Sequence, residues 1–347
     1  MTSSFIIESN RIKWVDSLKF LGILAIYIGH LGKGGGPFTD FVWLYHVPLF
    51  FFISGFFSDY KNNTNFKDFI KSRFKRLMLP YYAFTLLLLF INASNNNLDF
   101  ISLYTPIKEI LYGVRNDNYV GTVWFFNCLF SLSILDYIFM RAIKNKYIIL
   151  LISILSLAIF QLLIGHNPAS TPSWFLNIDT AIGYWWLLAM GRCLFPCLKS
   201  NALFKKTISG YTLLFILLMV ATYELLNGKP IITAIMLKLY PDFQAGLVYS
   251  ITENMFTILT LVLLNVFIAK IISGSTYIYS TGRNTINICG FEMITKTIIP
   301  SVFYTIGLSF SLSNHFMAIV YSLLCIYISN TIGYWLSNNI GGVFSTK

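Results

Sequence analysis

YIILLISILSLAIFQLLIG, residues 147–165, contains no charged side chain. As an α-helix these residues rise about 28 Å, close to the ~30 Å hydrocarbon thickness of a bilayer. Apolar runs of similar length recur from one end of the chain to the other. The expected spans are 14–32, 41–58, 77–93, 120–140, 147–165, 174–192, 207–227, 245–269, 281–300 and 314–336. The sixth and ninth are the most polar of these. The reading is therefore all-α: a polytopic membrane helix bundle of about ten transmembrane helices.

Composition agrees. Of 347 residues, 56% are hydrophobic and 11% charged, against about 25% charged in an ordinary soluble domain. Soluble multi-domain classes are excluded. No linker, repeat or attached soluble domain stands out, so residues 1–347 read as one membrane domain and any chemistry must take place within the bundle. The net charge is +11, and its distribution sets topology rather than implying a nucleic-acid partner. With the N-terminus inside, eighteen of the 25 basic residues fall on cytoplasmic segments or span ends, six of them between 59 and 76. Both termini are then cytoplasmic. The N-terminus MTSSFIIESNRIKW does not read as a cleaved signal peptide, so the first span is expected to stay inserted. The five cysteines (Cys128, Cys193, Cys197, Cys289, Cys325) show neither disulfide nor zinc spacing, and no metal site is expected.

The first span, DSLKFLGILAIYIGH (16–30), carries ionisable groups inside apolar sequence. Such groups are costly in a membrane and mark function. Lys19 and His30 are three helical turns apart, about 16 Å along the axis, and Asp16 joins the same stripe. In this topology Lys19 lies toward the cytoplasm and His30 toward the outside. His46, on the next span after a short loop, falls at similar depth. Histidine is matched to proton transfer near neutral pH, and a carboxylate would orient it. Glu253, Glu292 and Asp179 are the candidate carboxylate partners, and Glu224 lies near an outer helix end. In KDFIKSRFKRLMLP (67–80), Arg73 and Arg76 at i, i+3 would neighbour one another on a helix and suit phosphate; positive-inside anchoring explains the same charges. In TVWFFNCLF (122–130), Trp124 is expected at the outer interface, where an aromatic belt is the default.

Together these residues resemble the integral-membrane acyltransferase 3 family, which includes bacterial O-acetyltransferases of surface polysaccharide. The opening pattern is met by Arg11, Asp16, Lys19 and His30, with Lys where Arg is commoner. A second signature is met by His46, Pro48, Phe50, Phe51, Ser54 and Gly55. R-x-x-R before a span is met by Arg73, Arg76 and Pro80, a Trp-Phe pair by Trp124 and Phe125, and a late G-[KR]-N-[ST] by Gly282, Arg283, Asn284 and Thr285. A histidine often follows the late motif; here Glu292 occupies that place.

The resemblance implies transfer of an acyl group, usually acetyl, from cytoplasmic acyl-CoA to a hydroxyl of a glycan or lipid-linked oligosaccharide such as O-antigen or capsule, in the bacterial inner membrane. Acetyl-CoA would be a co-substrate, with no bound cofactor; glycan and membrane lipid would be the other partners. His30 would act as base or acyl acceptor, with Asp16, Lys19 and His46 around it and Arg73, Arg76 and Lys19 holding CoA. A transporter or flippase of a lipid-linked sugar would also show about ten spans and embedded charges, but its usual inverted repeats are not visible. A non-catalytic partner in a polysaccharide assembly complex is the third reading.

Overall fold

The computed structural model describes residues 11–60, 65–96, 100–115, 120–164, 172–200, 208–227, 230–240, 246–306 and 315–339. The two termini, the loop 165–171 and Lys61, Lys205, Lys206, Lys229 and Lys347, used above for orientation, lie outside these residues. The helices are α1 (Lys13–Gly29), α2 (Pro37–Trp43), α3 (His46–Gly55), α4 (Phe66–Arg73), α5 (Leu79–Asn96), α6 (Tyr104–Tyr112), α7 (Trp124–Ile143), α8 (Lys146–Ile164), α9 (Ile178–Lys199), α10 (Ile208–Asn227), α11 (Ile231–Leu239), α12 (Leu247–Ile272), α13 (Thr276–Arg283), α14 (Thr285–Thr305) and α15 (His315–Asn339). Among the described residues there is no strand. The protein is an all-α, multi-pass helix bundle.

Seven helical stretches are long and apolar enough to cross a membrane, and an eighth is reached if α10 and α11, bent by 76°, count as one broken span. The two remaining expected spans, α1 and α14, are helical but fall outside that set, and two of the seven depart from the simple pattern. α1 has 17 residues, about 26 Å, slightly short of a full hydrocarbon crossing. α14 is long enough but carries Asn287, Glu292, Lys296 and Pro300. The expected span 41–58 is two helices, α2 and α3, broken at Leu44–Tyr45. The third span extends backward, so that α4, a π-helical turn (Phe74–Met78) and α5 form one helical run.

The chain groups into two compact units. The first comprises residues 1–49, 203–285 and 312–323. Its core joins α1, α2, α10 and α12 through Ala25, Ile28, Val42, Leu217, Ala221, Leu261 and Leu264. The second comprises residues 50–202, 286–311 and 324–347. There α9 packs along α8 and α7. Gly55 on α3 and Gly191 on α9 let two backbones meet: a Cβ on Gly55 would lie 2.0 Å from the Leu188 carbonyl oxygen, and one on Gly191 2.1 Å from that of Phe52. Small residues are the usual device for close helix approach in lipid.

On α8, Tyr147, Ile148, Leu151, Leu155, Ile159, Leu162 and Leu163 are exposed. The spacing puts them on one face. A stripe this apolar is a liability in water and ordinary against acyl chains.

Candidate functional site

In the first unit, the start of α1 is built around one buried carboxylate. Asp16 is 2% exposed. It accepts hydrogen bonds from Arg11 Nε at 2.8 Å and Lys19 Nζ at 3.0 Å, and Arg283 Nε lies 4.0 Å away. Arg283 reaches this position because Gly282 has no side chain: a Cβ there would fall 1.9 Å from the Asp16 carbonyl oxygen. The late Gly-Arg motif is thus a contact device that brings a second arginine to Asp16. Lys13 lies over the Tyr279 ring and Lys270 over Trp14. Five cations around a single carboxylate leave a net positive surface at this end of α1, suited to an anionic ligand.

At the other end of α1, His30 is the C-cap residue. Its ring lies 5.9 Å from Trp43 and 6.1 Å from His46, centroid to centroid, and Trp43 is 4.9 Å from His46. Trp43 and His46 are three residues apart across the short turn between α2 and α3, so both rings meet His30 at the end of α1. Trp43 Nε1 donates to the Gly29 carbonyl at 3.0 Å, which ties α2 to α1. His46 Nδ1 meets the Val42 carbonyl at 2.8 Å. A carbonyl can only accept, so Nδ1 carries a proton toward it. The His30 and His46 rings lie side by side at this end of α1.

A third histidine was not singled out in the sequence. His315 stands against the loop between α1 and α2, where a Cβ on Gly36 (φ +54°) would meet its ring at 2.0 Å. The cluster of glycines at 32–36 is the signal that could have found it. A side chain at Gly36 would push out the imidazole.

In the second unit, Arg73 ends α4 and Arg76 lies in the π turn. π turns add a residue to the helical turn and recur at functional sites. Arg73 and Arg76 consequently flank a widened turn rather than stacking along a regular α face. Arg73 lies over the rings of Phe69 (5.2 Å) and Tyr60 (6.0 Å); Arg76 is exposed. Tyr60 donates to Asp136. Burial, helped by the Asp136 charge, pushes the Tyr60 phenol well above its ordinary value, so it remains a donor. Asp136 also accepts from Trp185 Nε1 at 2.9 Å and forms an ion pair with Arg192. Arg192 donates to Ser58 Oγ at 2.8 Å. At 3% exposure, Arg192 is half of a buried ion pair.

The candidate carboxylates have their own partners. Asp179, in the first turn of α9, accepts from the backbone N–H groups of Ser173 and Trp174 before the helix and of Thr180 within it. Glu253 accepts from Thr233 and Tyr249, and Glu292 pairs with Lys296 on α14. Trp124, expected at an interfacial belt, is buried at 7% exposure with the Arg115 guanidinium 4.8 Å over its ring. Among the described residues, no three His, Cys, Asp or Glu side chains are placed to share a metal ion.

The residues brought together are thus Asp16 with Lys19, and His30 with His46. No curated protein and no solved structure matches the chain. A family model does, the acyltransferase domain of the acyltransferase 3 type, over residues 12–345. That match spans the cationic end of α1, the histidine pair, the Arg73–Arg76 turn and the Gly282–Arg283 contact, and the chain accordingly belongs to the acyltransferase 3 family of membrane acyltransferases.

Proposed function

We propose that the protein moves an acetyl group from cytoplasmic acetyl-CoA to a hydroxyl of a bacterial cell-surface glycan or its lipid-linked precursor, in the inner membrane. The observation that carries this reading is the polarity of α1. Its first turn holds a cation cluster suited to phosphate, and its C-terminal end holds His30 beside His46 and Trp43. Lys19 and His30 are separated by about 16 Å of helix, a length an extended pantetheine arm can follow.

In this reaction the acceptor hydroxyl oxygen attacks the thioester carbonyl. A C–O bond forms, the C–S bond breaks, and CoA leaves as the thiolate. His30 takes the hydroxyl proton as general base and returns it to the thiolate. The cations Lys19 and Arg283, beside Asp16, serve the donor's phosphates, which cannot enter lipid. His46, whose ring centroid is 6.1 Å from that of His30, assists His30.

The test uses purified full-length protein in lipid vesicles, with acetyl-CoA labelled in the acetyl group and isolated surface glycan. The expected result is an alkali-labile acetyl ester on the glycan and one free CoA thiol per ester. Passage of the glycan across the vesicle with no covalent label would overturn the reading in favour of a transporter.

A further inference from the structure

Arg115 stands in a locality of the second unit that the chemistry above does not use. It follows α6, in the segment expected on the outer side. Its guanidinium lies 4.8 Å over the Trp124 ring and close to the Tyr184 hydroxyl, whose ring is stacked on Phe51 at 4.7 Å. Arg115 Nε is buried with no hydrogen-bond partner. Among the described residues no carboxylate forms an ion pair with it. Asp179, two residues after Asn177, accepts from the backbone N–H groups of Ser173 and Thr180; Asp117, two residues after Arg115, lies outside the described residues.

The position of Arg115 is fixed by an unusual amount of structure. Its backbone N–H donates to Asn177 Oδ1 at 2.7 Å. Asn177 Nδ2 in turn donates to the Gly113 carbonyl and to Asn127 Oδ1, and Asn127 Nδ2 donates to the same carbonyl, each at 2.7 Å. Asn127 and Asn177 are both fully buried. Leu176 (φ 49°) and Asn177 (φ 52°) adopt left-handed backbone, a conformation a leucine rarely takes. Gly113 is left-handed as well (φ 66°). Strained backbone held by a satisfied buried network is a mark of a site that must be kept in one geometry.

A guanidinium over an indole, with no carboxylate ion-paired to it among the described residues, fits an anion that brings its own sugar or lipid surface to the aromatics. We propose that Arg115, held over Trp124 by the Gly113–Asn127–Asn177 network, recognises an anionic group, phosphate or carboxylate, on the sugar acceptor. The proposal rests on the acyl-transfer reading for the word acceptor; the binding itself can be measured without any transfer. Phosphate would come from a lipid-linked or phosphorylated sugar, carboxylate from an acidic sugar of the glycan.

The experiment titrates glucose 1-phosphate, glucuronate and glucose into full-length protein in neutral phosphatidylcholine nanodiscs, followed by calorimetry. The wild type should bind at least one anionic sugar about tenfold or more tighter than glucose, and which one identifies the source of the charge. Arg115→Gln should reduce both anions to the level of glucose while acetyl-CoA affinity stays at the wild-type value. Arg115→Lys should recover part of the preference. The double variant Arg73→Gln/Arg76→Gln should keep it, which separates this site from the cytoplasmic cations. Equal binding of charged and neutral sugars by the wild type would overturn the proposal, and so would an anion preference that survives Arg115→Gln. Should Arg115→Gln not fold, the wild-type comparison alone decides. Absence of acetyl transfer in the vesicle assay would leave this result standing.

Discussion

At the scale of single residues, Asp136 and Arg192 show how charge is managed inside the bundle. Both are buried and paired. Removing one leaves the other bare, which in a protein interior costs about 3–5 kcal/mol. Asp136→Ala should therefore lower stability by roughly that amount, read from thermal or denaturant unfolding in detergent. Asp136→Leu combined with Arg192→Met should recover most of the loss, because two apolar side chains of similar volume replace the pair. Equal damage from the single and double variants would show that the charges matter for another reason. The sequence made Asp16–Lys19 legible, since residues three apart on a helix are neighbours. It did not make Asp136–Arg192 legible, because the partners lie on helices 56 positions apart and either one alone reads as an ordinary charge near a span end. Trp124 was misread for a similar reason. An aromatic near an interface looks like a belt residue until the cation that covers it is placed.

At the scale of helices, the spans were visible as apolar runs and their breaks were not. The α2–α3 break at Leu44–Tyr45 has no proline or glycine to mark it. The π turn at Phe74–Met78 needs one additional residue per turn and leaves no mark in composition. The close approach of α3 and α9 was readable in part, since Gly55 sits in an otherwise bulky run, but its reciprocal partner Gly191 was not singled out. Because a Cβ on Gly55 would enter the Leu188 carbonyl at 2.0 Å, and both atoms belong to backbone, Gly55→Ala should force the helices apart. A loss of about 1–3 kcal/mol is expected, measured as a lower unfolding midpoint in detergent. An unchanged midpoint would mean that α3 slides freely on α9.

At the scale of the whole molecule, composition and the family match agree on a membrane acyltransferase, and the apolar face of α8 shows how such a chain meets lipid. The functional argument is carried by residues far apart in sequence. Lys19 and Arg283 lie beside Asp16 at one end of α1, and His30 and His46 lie together at the other; the proposed transfer assigns donor binding to the first group and proton transfer to the second. The central claim is that His30 takes the acceptor's proton. It is tested most directly by comparing the initial rate of acetyl transfer in wild-type and His30→Ala protein, with acetyl-CoA affinity measured on the same samples. The account predicts a rate lower by about a hundred- to ten-thousand-fold at unchanged donor affinity. A His30→Ala protein that transfers acetyl at close to the wild-type rate would contradict it.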